Sequence, residues 1–309
     1  MEGSIMDEHT DRKKLRGFMT ALVTPFRRGE VDWPVLESLI DRQIQARTDW
    51  LVPCGTTGET PTLSSIERTK IIETTIERAR GRCAVMAGSG ANSTSATIQL
   101  TKEIAHIGAD AALLVTPYYN RPTQEGLFRH FAAIAESVEI PLVLYNVPAR
   151  TGCDLQNDTI VRLRAQFPNI AGVKDASGGI NRVTELVTRC DVAILCGDDA
   201  LTWPMIACGA VGVVSVIGNL APELMRSMVR AALEGDSQSA LQLHKKVYDF
   251  ATGIGGHAPN PVGIKTAMAV AGLMAEEFRL PLCPLTGAPR QEIAELVRRH
   301  EFAVESNNE

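Results

Sequence analysis

The sequence predicts a (β/α)8 barrel followed by a small C-terminal helical segment, and three observations predict it. Short apolar runs and helical stretches alternate eight times between Gly17 and Leu233, a count and spacing that fit a closed parallel barrel. Most of the apolar runs end on or beside a polar residue, as the catalytic rim of such a barrel does. After Glu234-Gly235-Asp236 the alternation stops, and three helical stretches follow with no strand between them. A doubly wound sheet would need fewer strands or a second domain. The expected division is a flexible N-terminal extension over 1–16, a barrel over 17–234 and a helical appendage over 235–309.

Each element has its local reason. The first strand lies within Gly17 to Phe26, and Asp32 with Pro34 opens a helix to about Arg47. Trp50 to Cys54 is the second strand, and Ser64 or Ser65 caps the next helix to Arg80. Cys83 to Ala87 is the third, followed by a helix from Ser93 or Thr94 that stops at Gly108. Strands over Ala111–Thr116, Pro141–Tyr145 and 170–174 follow, with helices near 123–137, 157–167 and 180–189. The seventh and eighth strands are Val192–Leu195 and Gly212–Val216, with a short helix ending at Gly209 and a longer one over 222–233. The three closing helices fall near 237–251, 261–274 and 289–304.

Composition narrows the function. The 309 residues are 45% hydrophobic and carry a net charge of −5. No basic stripe suggests nucleic acid, and no apolar run approaches the ~18 residues of a membrane-spanning helix. The seven cysteines form no CxxC pair and fit free thiols in a reducing cytoplasm, with Cys54 as small core filler. The six histidines (9, 106, 130, 244, 257, 300) show no metal-ligand spacing and read as helix-surface or loop residues.

Of eight lysines, only Lys174 closes an apolar strand (Ile170 to Val173). An isolated ammonium is costly to bury, which leaves two readings. One is an ion pair with Asp175, although neighbouring strand residues point to opposite faces. The other is a nucleophilic amine, its pKa brought down by burial from the usual ~10.4. The other strand ends carry Thr24, Thr56-Thr57, Asn92, Tyr118-Tyr119, Tyr145, Asp198-Asp199 and Ser215. Gly55 to Glu59 is either an ordinary turn with Glu59 as an anchor, or an anion nest with two hydroxyls. Tyr118 and Tyr119 suit a core or interface pair, and Tyr145 suits packing or a proton shuttle. The loop after the seventh strand is acidic, where barrel phosphate sites usually form, so the expected substrate is unphosphorylated. A lysine nucleophile, a hydroxyl-rich nest and no cofactor together point to carbon–carbon bond chemistry on a small 2-oxo acid.

Six motifs in register then carry a resemblance. GTTGE (55–59), TPYYNRP (116–122), YNVPARTG (145–152), GVKDAS (172–177), CGDD (196–199) and GVVSV (212–216) resemble the dihydrodipicolinate synthase and N-acetylneuraminate lyase family of class I pyruvate aldolases. NPVGIKTAM (260–268) is similar to that family's C-terminal segment. The resemblance implies a Schiff base between pyruvate and Lys174, with Tyr145 as general acid/base. It implies a relay through Thr56 and through Tyr119 of a neighbouring subunit, with Thr57 and the Val214 backbone holding pyruvate. It further implies a homotetramer built as a dimer of dimers, while the lack of a metal-ligand cluster in the sequence points away from a metal-dependent aldolase.

Within the family, Thr57 and Arg150 favour the synthase branch over the lyases. The implied second substrate is L-aspartate 4-semialdehyde, its carboxylate paired with the Arg150 fork. Another aldolase or dehydratase of the family and a catalytically inactive barrel are the alternatives. Lysine-inhibited relatives carry a glutamate and two histidines at positions that fall on Ala96, Ser65 and Arg68 here, so inhibition by L-lysine is expected to be weak or absent.

Overall fold

The computed structural model describes residues 14–300, so the expected extension over 1–16 lies almost wholly outside the described residues. Eight parallel strands close on themselves: β1 (Gly17–Ala21), then, after a small hairpin, β4 (Trp50–Val52), β5 (Ala84–Gly88), β6 (Ala111–Val115), β7 (Leu142–Asn146), β8 (Ile170–Asp175), β9 (Ala193–Cys196) and β10 (Gly212–Ser215). Each strand pairs with the next, and Met19 opposite both Trp50 and Val214 closes the ring. The hairpin, β2 (Phe26–Arg27) and β3 (Glu30–Val31), is antiparallel. It takes the end of what the sequence reads as one long first strand, because Arg28 and Gly29 adopt left-handed backbone angles that turn the chain.

Helices cover the outside: α1 (Trp33–Gln45), α2 (Ser65–Ala79), α3 (Thr94–Ile107), α4 (Gln124–Ala135), a single turn α5 (Pro148–Thr151), α6 (Asn157–Gln166), α7 (Ile180–Arg189), α8 (Thr202–Ala207) and α9 (Pro222–Leu233). Four of these helices start at a side chain that satisfies a free amide. Asp32 caps α1, Ser93 caps α3 and Thr123 caps α4. Ser64 and Glu67 form a reciprocal capping box on α2. Gly108 ends α3 with φ near 100°.

Two apolar clusters divide each strand's faces. Residues such as Met19, Trp50, Met86, Leu113, Val143, Leu195 and Val214 fill the barrel interior, and their neighbours in sequence point outward onto the helices. Both faces are therefore buried, as a parallel barrel requires. Trp50 satisfies its indole by donating to the Lys14 carbonyl at 3.0 Å.

The last helices are α10 (Ser237–Gly255), α11 (Val262–Val270) and α12 (Gly287–Arg299). They do more than append to the barrel. The end of α10 and the start of α11 help to wall the cavity at the C-terminal rim. No helix among the described residues is long and apolar enough to cross a membrane. Two of the histidines read as surface residues are instead buried: His130 on α4 and His244 on α10. Each lies on the inward stripe of its helix, which a histidine's polar character alone did not reveal. Burial pushes the His130 pKa down to about 4. Cys54 packs in the core as expected, and burial pushes its thiol up to about 12.

Candidate active site

A cavity of about 230 Å³ opens at the C-terminal end of the barrel. Lys174 and Tyr145 reach it from adjacent strands, where they sit opposite each other in the β7–β8 ladder. The lysine amine lies 4.1 Å from the centroid of the tyrosine ring. Lys174 is 5% exposed, and among the described residues it forms no ion pair. Asp175 points away, as strand geometry requires. Its carboxylate accepts from the Ser177 amide and hydroxyl at 2.9 and 2.6 Å and from Arg182 Nε at 3.2 Å. The ion-pair reading of Lys174 is thereby removed.

Space for the lysine depends on Gly197. A Cβ there would stand 2.8 Å from the Ala176 Cβ and 3.2 Å from the Lys174 Cε. Any side chain would press on the arm that carries the amine.

Thr56 and Thr57 occupy a 3-10 turn, Thr56–Gly58, directly after β4, and both line the cavity. Thr24 secures that turn by donating to the Gly58 carbonyl at 2.8 Å. The Thr57 hydroxyl accepts from Asn260 Nδ2 at 2.9 Å. The Asn260 carbonyl in turn accepts from Arg150 Nη2 at 2.9 Å, which holds the guanidinium at the cavity wall. Asn260 thus joins a hydroxyl and a cation that the sequence placed on separate loops. Its own Oδ1 is buried without a partner.

Asp199 lies on the opposite wall. Its Oδ2 accepts from the amides of Val216 and Ile217 at 2.9 and 3.0 Å, which fixes the start of the loop after β10. Burial raises its pKa, against the pull of the Ser215 hydroxyl and these two amides. Ser215 itself accepts from the Gly218 amide at 2.8 Å.

Val214 sits in the interior cluster with Tyr145, and Val216 and Ile217 after it line the cavity. Alternation along a strand sends every second side chain into the barrel. Tyr119 is 90% exposed, with a left-handed φ of 74°, and is absent from its own chain's cavity. The missed residues are Gly197, Asn260 and the lining from α10 and α11. Only the NPVGIK run hinted at the last two.

Residues 14–300 match the dihydrodipicolinate synthetase family. The chain belongs to that family. A 4-hydroxy-tetrahydrodipicolinate synthase of Thermomicrobium roseum is 50% identical over 281 residues, 90% of this chain and 92% of the relative. The solved 4-hydroxy-tetrahydrodipicolinate synthase of Methylacidiphilum fumariolicum is 46% identical with a TM-score of 0.91, covering 93% of this chain and 96% of that one. A chloride-inhibited dihydrodipicolinate synthase of Acinetobacter baumannii, solved in complex with pyruvate, is 44% identical with a TM-score of 0.91 over 94% of this chain and 100% of that one. Family membership accounts for the barrel, for the order of the six motifs, and for the extra helices at the rim.

Proposed function

We propose that this chain condenses pyruvate with L-aspartate 4-semialdehyde to give 4-hydroxy-tetrahydrodipicolinate and water, the activity in the names of its relatives. The observation that carries the reading is the Lys174–Tyr145 pair facing one cavity with no carboxylate on the lysine. The neutral Lys174 amine attacks the pyruvate ketone, and loss of water gives a protonated imine. Tyr145 delivers and removes the protons of that exchange, because no other phenol of this chain lines the cavity. The imine acidifies the methyl group, and loss of one methyl proton gives an enamine. The enamine carbon then attacks the aldehyde. Finally the substrate's own amine adds to the imine carbon, displaces Lys174 and closes the ring.

Thr57 receives the pyruvate carboxylate with its hydroxyl and the turn amides, the Val214 backbone holds the same substrate, and Thr56 relays protons with Tyr145. Arg150 takes the carboxylate of the aldehyde substrate through its planar fork. Tyr119 completes the proton relay from a neighbouring subunit. An exposed aromatic held in a left-handed conformation suits a residue that serves a partner's site. The assembly is a homotetramer of such dimers in the cytoplasm. Sedimentation checks this point: a monomer at micromolar concentration contradicts it.

A coupled assay with both substrates, together with borohydride trapping of pyruvate, tests the whole reading. Turnover of pyruvate with aspartate semialdehyde is expected to exceed that with other aldehydes. An adduct on Lys174 with a different preferred aldehyde would retain the aldolase chemistry and move the chain to another branch of the family.

A further inference from the structure

The Thr56–Gly58 turn ends at Glu59, whose side chain is anchored by a residue distant in sequence. Its backbone is left-handed, with φ of 53°, an uncommon conformation for a residue with a side chain. The anchoring contact is Lys265 of α11, 206 residues away in sequence. The two side chains form an ion pair in which both are wholly buried. The rings of Phe26 and Phe278 seal it, with centroids 4.5 and 4.7 Å from the Lys265 amine. The second Glu59 oxygen accepts from the Arg279 amide at 3.3 Å. Asn260, which donates to Thr57, comes from the same stretch of chain. Three tethers therefore run from the C-terminal segment to one short turn. The turn's own closing bonds, from the Gly58 and Glu59 amides, are 3.1 and 3.2 Å long.

We propose that the Glu59–Lys265 pair is a positioning element for the first substrate: by fixing Glu59 it holds the Thr57 hydroxyl and the turn amides where they meet the 2-oxo acid's carboxylate. The C-terminal helices thereby set pyruvate affinity without touching pyruvate. A sealed pair suits this task, because opposite charges excluded from water hold a fixed geometry more firmly than an exposed pair does. The inference rests on the pyruvate reading above.

The test is a Glu59→Gln/Lys265→Met double variant, which removes both charges and leaves neither one buried alone. Pyruvate affinity is read from borohydride trapping at varied concentration and from KM, beside KM for the aldehyde, kcat and the melting temperature. The expected result is about a tenfold rise in the pyruvate constants, with the aldehyde KM within about twofold. Unchanged pyruvate constants overturn the proposal. So does an equal rise in both KM values, which marks a general loosening of the rim. If the double variant fails to fold, Glu59→Asp keeps both charges, draws the carboxylate back by one methylene and is expected to raise the pyruvate KM about threefold; no rise overturns the proposal. The wild-type adduct on Lys174, measured first, separates the two ideas, since its absence sinks the pyruvate reading itself.

Discussion

Among the described residues two lysines are buried, Lys174 and Lys265, and their surroundings make them opposites. Lys265 is sealed by two phenylalanines and answered by Glu59. Lys174 is nearly as buried, has no carboxylate partner among the described residues, and opens on a cavity beside a tyrosine. Burial by itself therefore does not make a nucleophile. An ion pair satisfies the charge and keeps the amine out of reaction. A cavity with a phenol beside the amine and no carboxylate bonded to it leaves the amine free to meet a carbonyl. Removing one partner of a pair such as Glu59–Lys265 costs roughly 3–5 kcal/mol of stability, whereas changing Lys174 should affect turnover and leave the fold standing.

The largest effect expected is on that contrast directly. Lys174→Arg should abolish the borohydride adduct and lower turnover on the order of a thousandfold or more, since guanidinium stays protonated. Lys265 remains in that variant, so an adduct mapped to Lys265 by peptide mass would erase the distinction between the two lysines.

A milder change tests whether the space around Lys174 matters as its chemistry does. Arg150→Ala leaves Lys174 untouched and should weaken the aldehyde step roughly ten- to a hundredfold, while pyruvate trapping stays near wild type. If the aldehyde kinetics are unmoved, Arg150 is not the carboxylate's partner. Gly197→Ala presses on the Lys174 arm instead, and should slow adduct formation about tenfold with little change at Lys265. An adduct rate equal to wild type would show that the arm has more room than its 3.2 Å clearance implies.

His130 extends the comparison to a buried base with neither a charge partner nor a cavity. It takes a hydrogen bond with the Thr94 hydroxyl at 2.9 Å, and its Nε2 is buried without a partner. Its folded pKa of about 4 lies below the ordinary 6.5. The unfolded chain therefore binds the proton more readily. The stability involved is complete above the unfolded value and is lost as pH falls from about 6.5 toward 4, in total roughly 3 kcal/mol. Urea melts at pH 7 and pH 4.5 should show His130→Gln flattening that loss; parallel losses in variant and wild type would remove His130 as its source.

The smallest effect expected is regulatory. Ala96 starts no ion pair, and Arg68 holds the Gly88 carbonyl at 3.1 Å, so a free ammonium meets a cation in place of a carboxylate. A titration of L-lysine to the millimolar range should reduce the rate by less than about twofold, and half-inhibition below a millimolar would show a working site.

Periodicity alone placed Lys174 and Tyr145 at strand ends and Thr56-Thr57 after β4, because a strand's two-residue repeat and a barrel's one active rim are local and general rules. The same rules kept Asp175 away from Lys174. They did not give the end of the first strand at Ala21 or the hairpin that follows it. Burial of His130 and His244 also went unread, since nothing in a polar residue's identity says which helix face meets the core. What the tertiary structure alone decided was the other wall of the site. Asn260 meets Thr57 across 203 positions and Lys265 meets Glu59 across 206. No local pattern encodes such contacts. They exist because the closing helices fold back over the barrel mouth, and a buried charge there must find an opposite charge within reach.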